Sequence, residues 1–155
     1  MKYLLMLALL ILGGKAYSQS QSEIKNDTLY KSVDLDKDDA TFLKLKALAQ
    51  SKIAEFVNAV KVHGTDYKNY HLMVKSDFVE GDEHEHMWTQ VYAYRNGSFD
   101  GVFVDKPFAI KKIKTGQRLT IKQADIEDWV IYDANDVKIA GGFSLEYLGS
   151  KEKDL

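Results

Sequence analysis

The sequence predicts an α+β fold: one long N-terminal amphipathic helix packed on a mainly antiparallel sheet of about six strands. Three observations predict it. Phe42, Leu45, Ala49, Ile53, Phe56 and Val60 recur at three- and four-residue steps, which gathers them on one face of a helix. After Gly64 the apolar period changes to two, the alternation of a half-buried strand. Asn96-Gly97 stands between two such runs, a strong short-range hairpin signal. A helix followed by consecutive antiparallel strands is an α+β layout, with the helix stripe covering one face of the sheet.

The elements follow in chain order. Lys2, the apolar run Tyr3 to Leu12 and the small residues of Ala16-Tyr17-Ser18 form the pattern of a secretory signal peptide over 1–18, with cleavage expected between Ser18 and Gln19. The run is well short of the ~20 apolar residues of a spanning helix, so no transmembrane segment is expected after cleavage. The expected location is therefore exported, periplasmic or secreted. Polar residues 19–36 read as a flexible lead-in, 37–148 as a single α+β domain, and 149–155 as a polar tail. With no cysteine, disulfides, thiol catalysis and lipidation at a cysteine are excluded. A net charge of −2 lacks the basic field that nonspecific nucleic-acid binding needs.

Asp36, Asp38 and Asp39 sit where carboxylates accept the free N–H groups of a helix start, and Gly64 reads as its stop. Asp34, Asp36 and Asp38 also have the alternate spacing of a calcium loop. However, Asp39 holds the required glycine position and Leu45 the position of the bidentate glutamate, so the helix start is preferred. The strands are expected over Tyr70 to Lys75, Met87 to Tyr94, Phe99 to Val104, Arg118 to Ile121, Trp129 to Tyr132 and Val137 to Leu148. Gly141-Gly142 is read as a bulge in the last.

Five segments, FVEGDEHEHMW, GSFDGVF, TGQRLTI, IEDW and GGFSLEYL, occur in that order. Together they resemble a bacterial family known as domain of unknown function 2314, with YegJ-like members. The resemblance covers roughly residues 67–148. It places the family's acidic-then-tryptophan element on Gly81 to Trp88 and its Asp-Trp pair on Asp128 and Trp129. It implies domain boundaries and a preceding helix, and no reaction, cofactor or partner.

Chemistry concentrates in Asp82-Glu83-His84-Glu85-His86. In an extended chain Asp82, His84 and His86 project to one side, a spacing that suits a divalent metal. Against this, Gly81 and the charge density read as a polar connection between strands, with Glu83 and Glu85 alternating outwards to solvent. Glu80, Glu83, Glu85, Glu127 and Asp128 offer carboxylates for acid–base work, which would require buried, perturbed environments. Neither a nucleophile elbow nor a phosphate loop is present. Trp88, Tyr92 and Tyr94 share one strand face by parity, either as an aromatic platform for a partner or as core against the helix; the larger buried area favours core. Lys111, Lys112 and Lys114 lie in a basic run reaching Arg118. It reads as a solvated loop, as a site for phosphate, acidic polysaccharide or headgroups, or as a partner of the acidic segment within the fold.

The expected function is that of a non-catalytic binding or accessory module of the bacterial envelope, with a protein or envelope component as partner and no cofactor. The alternative is a divalent-metal-binding protein or metal-dependent enzyme using Asp82, His84 and His86.

Overall fold

The structure, a computed structural model, describes residues 39–151. The expected signal peptide and lead-in, the candidate calcium residues Asp34, Asp36 and Asp38, and residues 152–155 lie outside the described residues.

Asp39 caps the first helix, α1 (Ala40–Ser51): its carboxylate accepts the N–H groups of Thr41 and Phe42 at 2.9 and 3.0 Å. The single long helix expected from the apolar stripe is two helices. α1 stops and α2 (Ile53–His63) begins at Lys52, whose φ of −106° and ψ of 6° leave the helical region. Side-chain bonds account for the break. Ser51 Oγ donates to the Leu48 carbonyl at 2.7 Å, competing with the helical ladder. Gln50 Nε2 donates to the carbonyls of Gln123 and Ile126 at 2.9 and 2.6 Å, tying the end of α1 to the sheet. The two short helices bury separate stripes, Phe42 and Ala49 from α1, and Ile53, Phe56, Val57 and Val60 from α2. Leu45 is only half-buried. Gly64 ends α2 because strand and helix meet there: a Cβ would lie 2.2 Å from the Tyr92 carbonyl oxygen.

The strands are β1 (Tyr70–Glu80), β2 (Glu83–Arg95), β3 (Ser98–Phe103), β4 (Arg118–Lys122), β5 (Ile126–Asp133) and β6 (Lys138–Gly141). They form one sheet of order β4-β3-β2-β1-β5-β6 in which every neighbouring pair is antiparallel. Asn96 and Gly97 make the β2–β3 turn with φ of 50° and 75°, the left-handed pair that a two-residue hairpin requires. The final strand expected over Val137 to Leu148 is instead β6 followed by a short helix, α3 (Leu145–Lys151). Gly141 and Gly142, at φ 74° and 70°, turn the chain rather than bulge it. A Cβ on Gly141 would lie 2.2 Å from the Trp129 carbonyl oxygen, so the turn is pressed against β5.

One sheet face meets α2 and the end of α1. Leu72, Val74, Val91 and Trp129 from the strands pack with Ala49, Ile53, Phe56 and Val60. Phe56 stacks on Trp129 with ring centroids 5.3 Å apart, and Trp129 Nε1 donates to the Ala49 carbonyl at 2.9 Å. This is the face of Met87, not of Trp88, reversing the expectation that the aromatic face of β2 would meet the helix. Trp88 lies on the opposite face in a second cluster with Met73, Val130 and Tyr132, which Val104 and Leu145 flank. The expected common face of Trp88, Tyr92 and Tyr94 is also corrected. The β2–β3 register shifts between Val91 and Ala93, so the extra residue Tyr92 inverts the parity beyond it. Tyr94 therefore packs on the helix-side core, against Phe99 at 4.9 Å.

Candidate functional site

The segment expected to be a polar connection is mostly strand. Only Gly81 and Asp82 form the turn between β1 and β2; Glu83, His84, Glu85 and His86 belong to β2. Strand parity then sorts them. Glu85 shares the face of Met87 and Val91, and it is 3 % exposed rather than facing solvent. His84 and His86 point to the other face.

Glu85 is buried because the chain between β3 and β4 folds over it. Residues 104–117 cover this end of the sheet, seating Ile110 and Ile113 against Met87 and Phe103. An irregular segment in that position must find acceptors for its amides. Glu85 provides them: Oε1 accepts from Phe108 N and Ala109 N at 2.8 and 3.0 Å, and Oε2 from Ile110 N at 3.0 Å. Glu80, at the end of β1, accepts from Lys111 N and Lys112 N at 2.6 and 2.9 Å through Oε2. Those two N–H bonds hold the Glu80 carboxyl below the usual carboxylate range. Two carboxylates thus grip five consecutive amides, from Phe108 to Lys112.

The grip leaves the loop's side chains outside. Phe108 is 82 % exposed, and Lys106, Lys111, Lys112 and Lys114 of the same loop are exposed as well. Lys111 Nζ donates to the Phe108 carbonyl and lies 5.9 Å from the centroid of its ring. Lys112 Nζ donates to the Val79 carbonyl. The basic loop therefore does face the acidic hairpin within the fold, as one of the sequence readings has it, but Glu80 and Glu85 make the contact and Asp82 does not.

At the root of the loop stands Asp105, 4 % exposed. Its Oδ2 accepts the Trp88 N–H at 2.7 Å, while Oδ1 has no hydrogen-bond partner among the described residues. Burial pushes its carboxyl up to about 6, opposed by the Trp88 N–H and the charge of Lys75, and assisted by that of Glu85.

His84, His86, Glu127 and Asp128 are engaged within the fold. His84 Nδ1 lies 2.8 Å from Asp77 Oδ2. His86 Nδ1 lies 2.5 Å from Glu127 Oε2, whose other oxygen takes Lys46 Nζ at 3.2 Å, and Phe42 meets the His86 ring edge-on. Asp128 accepts from Trp129 N, Phe143 N, Ser144 N and Ser144 Oγ, which fixes the turn into α3. Asp82 is exposed in the turn. Asp82, His84 and His86 thus have separate surroundings, and the described residues include no group of three or more His, Cys, Asp or Glu placed to hold a metal. Trp88 is 3 % exposed. Tyr92 and Tyr94 line a cleft of about 250 Å³ with Val60, Lys61, Gly64, Thr65 and Ala93, and none of the five candidate acid–base carboxylates is among the lining residues.

Sequence reasoning missed Glu80, Glu85, Asp105 and Phe108 as parts of one arrangement. For Glu85 a signal existed: it has the parity of Met87 and Val91, both apolar, and so had to be buried with them. Phe108 follows the chain's single proline among lysines, which marks a rigid loop with an aromatic tip.

The chain is an α+β protein in which two carboxylates, Glu80 and Glu85, anchor the loop between β3 and β4. A family described as "Uncharacterized protein conserved in bacteria (DUF2314)" matches residues 43–153, and the chain belongs to that family. It is also 36 % identical over 75 residues to "Uncharacterized protein YegJ" of Escherichia coli (strain K12), an alignment covering 48 % of each chain. The match thus spans about half the length of that relative. No solved structure matches. No helix among the described residues is long and apolar enough to cross a membrane.

Proposed function

We propose that this protein is an exported, non-catalytic binding or accessory module of the bacterial envelope, which engages its partner through the loop 106–114. One observation carries the reading: Phe108 is 82 % exposed although its own N–H and those of the next four residues are held by Glu85 and Glu80. A large apolar side chain on a mobile tip loses entropy when a partner orders it; on a clamped tip that cost is already met by the fold. The lysines around it supply long-range attraction to a negatively charged partner in a chain of net charge −2. Export rests on the Lys2, apolar-run and Ala-x-Ser pattern of the first 18 residues.

The test is retention of an envelope component on immobilised protein at 0.1 M and 1 M salt, beside a turnover screen on ester, phosphate and glycoside substrates. Retention should weaken at 1 M, where the Debye length falls from ~10 to ~3 Å. It should also weaken in the Lys111→Glu, Lys112→Glu, Lys114→Glu variant. Turnover abolished by substitution of Glu83 or His86, with nothing retained, would replace the binding reading with an enzymatic one. N-terminal sequencing of native material should find Gln19 first; Met1 would remove the export part.

A further inference from the structure

We infer that the surface the loop recognises is an anionic lipid bilayer, with Phe108 entering the interface and the lysines resting on the headgroups; this rests on the binding reading above. The deciding feature is the backbone of the tip. A segment whose tip passes the headgroups into the acyl-chain boundary does so at low cost only when its main-chain donors are already satisfied, because the acyl chains offer them no acceptor. Pro107 has no N–H. The N–H groups of Phe108, Ala109 and Ile110 are bonded to Glu85, and those of Lys111 and Lys112 to Glu80. The Phe108 carbonyl accepts from Lys111 Nζ. From Pro107 to Lys112 no main-chain donor is left to be stranded. A protein partner that added a strand here would need those donors free, so the saturated tip argues against it.

The charge distribution agrees. Lys106, Lys111, Lys112 and Lys114 are exposed in the loop that carries the ring, and Lys111 Nζ lies 5.9 Å from its centroid; Glu80 and Glu85 are turned onto the loop's own amides, while Asp82 and Glu83 are exposed in the β1–β2 hairpin. One exposed aromatic on a basic loop combines the two contributions, apolar burial and electrostatic attraction, that hold peripheral proteins at anionic membranes. Each of them alone is weak, and their sum remains reversible.

The experiment places a reporter at the tip. Trp88 and Trp129 are buried, so the full-length Phe108→Trp variant carries one exposed indole. Mixed with phosphatidylglycerol–phosphatidylcholine vesicles, it should shift its emission to the blue and be quenched by brominated acyl chains. Pure phosphatidylcholine should leave it near its aqueous value. Each lysine near an anionic surface contributes roughly a five-fold factor, so adding Lys111→Glu, Lys112→Glu and Lys114→Glu should raise the lipid concentration at half-saturation of that shift on the order of a hundredfold. Because the readout is the tip indole, vesicle binding through the apolar run at the N-terminus does not register in it. An absent shift, or an equal shift with both vesicle types, overturns the lipid assignment. If such a protein still retains a lipid-free, salt-sensitive envelope component, the lipid inference falls and the binding reading stands; if it retains nothing, both fall.

Discussion

Helix α2 covers one end of the sheet with Phe56, Val57 and Val60, while at the other end of the same face the segment 104–117 covers β2 and β3 with Ile110 and Ile113. The two lids differ in how their backbones are satisfied. A helix closes its own hydrogen bonds, so α2 needs only apolar contact to dock. The irregular lid has no such ladder and borrows acceptors from Glu80 and Glu85. The first lid is therefore held by shape and area, the second by charge. That difference leaves the second lid's outer side chains exposed and makes its order sensitive to the protonation of Glu80.

The largest effect that separates them should come from the helical lid. Phe56 is fully buried between Phe99 and Trp129, so Phe56→Ala should cost ~3–5 kcal/mol, read from the urea midpoint. A midpoint near that of the wild type would mean that α2 does not dock as described. Glu85→Ala should cost about 3 kcal/mol, because it strands a buried Ile110 N–H and two partly buried neighbours. Hydrogen exchange should then accelerate at residues 108–110 and leave α2 protected, an outcome that an allover loosening would not give.

A third prediction sharpens the comparison through pH. Asp105 is raised in the folded state, to about 6 from 3.8, so the folded protein holds its proton more tightly than the unfolded chain does. Stability from this group is full below about pH 4 and is lost as pH rises through 6. By linkage the loss is on the order of 3 kcal/mol. Asp105→Asn keeps an acceptor for the Trp88 N–H and should flatten the difference between urea midpoints at pH 4.5 and 7.5. An unchanged slope would show that Asp105 is not the group concerned. Glu80 has the opposite sign: its lowered carboxyl stabilises above 4.5, and that contribution disappears as pH falls through the lowered value.

The α+β class, the six strands and the Asn96-Gly97 hairpin were legible because strand parity and turn chemistry are local. The helix break was not, since Gln50 is bent to the carbonyls of Gln123 and Ile126, partners that lie far along the chain. The last strand was misread because Gly141 and Gly142 suit a bulge and a turn equally, and only the pressure of Trp129 on Gly141 distinguishes them. On β2 one extra residue at Tyr92 was enough to separate Trp88 from Tyr94. The lysines of the candidate site were legible as a charge run. The carboxylates that make it rigid were not, because Glu85 and Glu80 find their amides across a long separation.

The strand order also dictates how the chain assembles. β1 to β4 form a meander in which each strand pairs with its immediate predecessor, so these contacts close short loops. β5 instead returns to the far side of β1, bringing Ser76 beside Ile126 and enclosing the whole meander in one loop. That closure loses more chain entropy than any hairpin and is rewarded by the β1–β5 ladder and by the contacts of Trp129 with Ala49 and Phe56. Loop-closure entropy therefore predicts that the anchored loop between β3 and β4 belongs to the part that pairs early, and that the helix-side core becomes complete with the later arrival of β5.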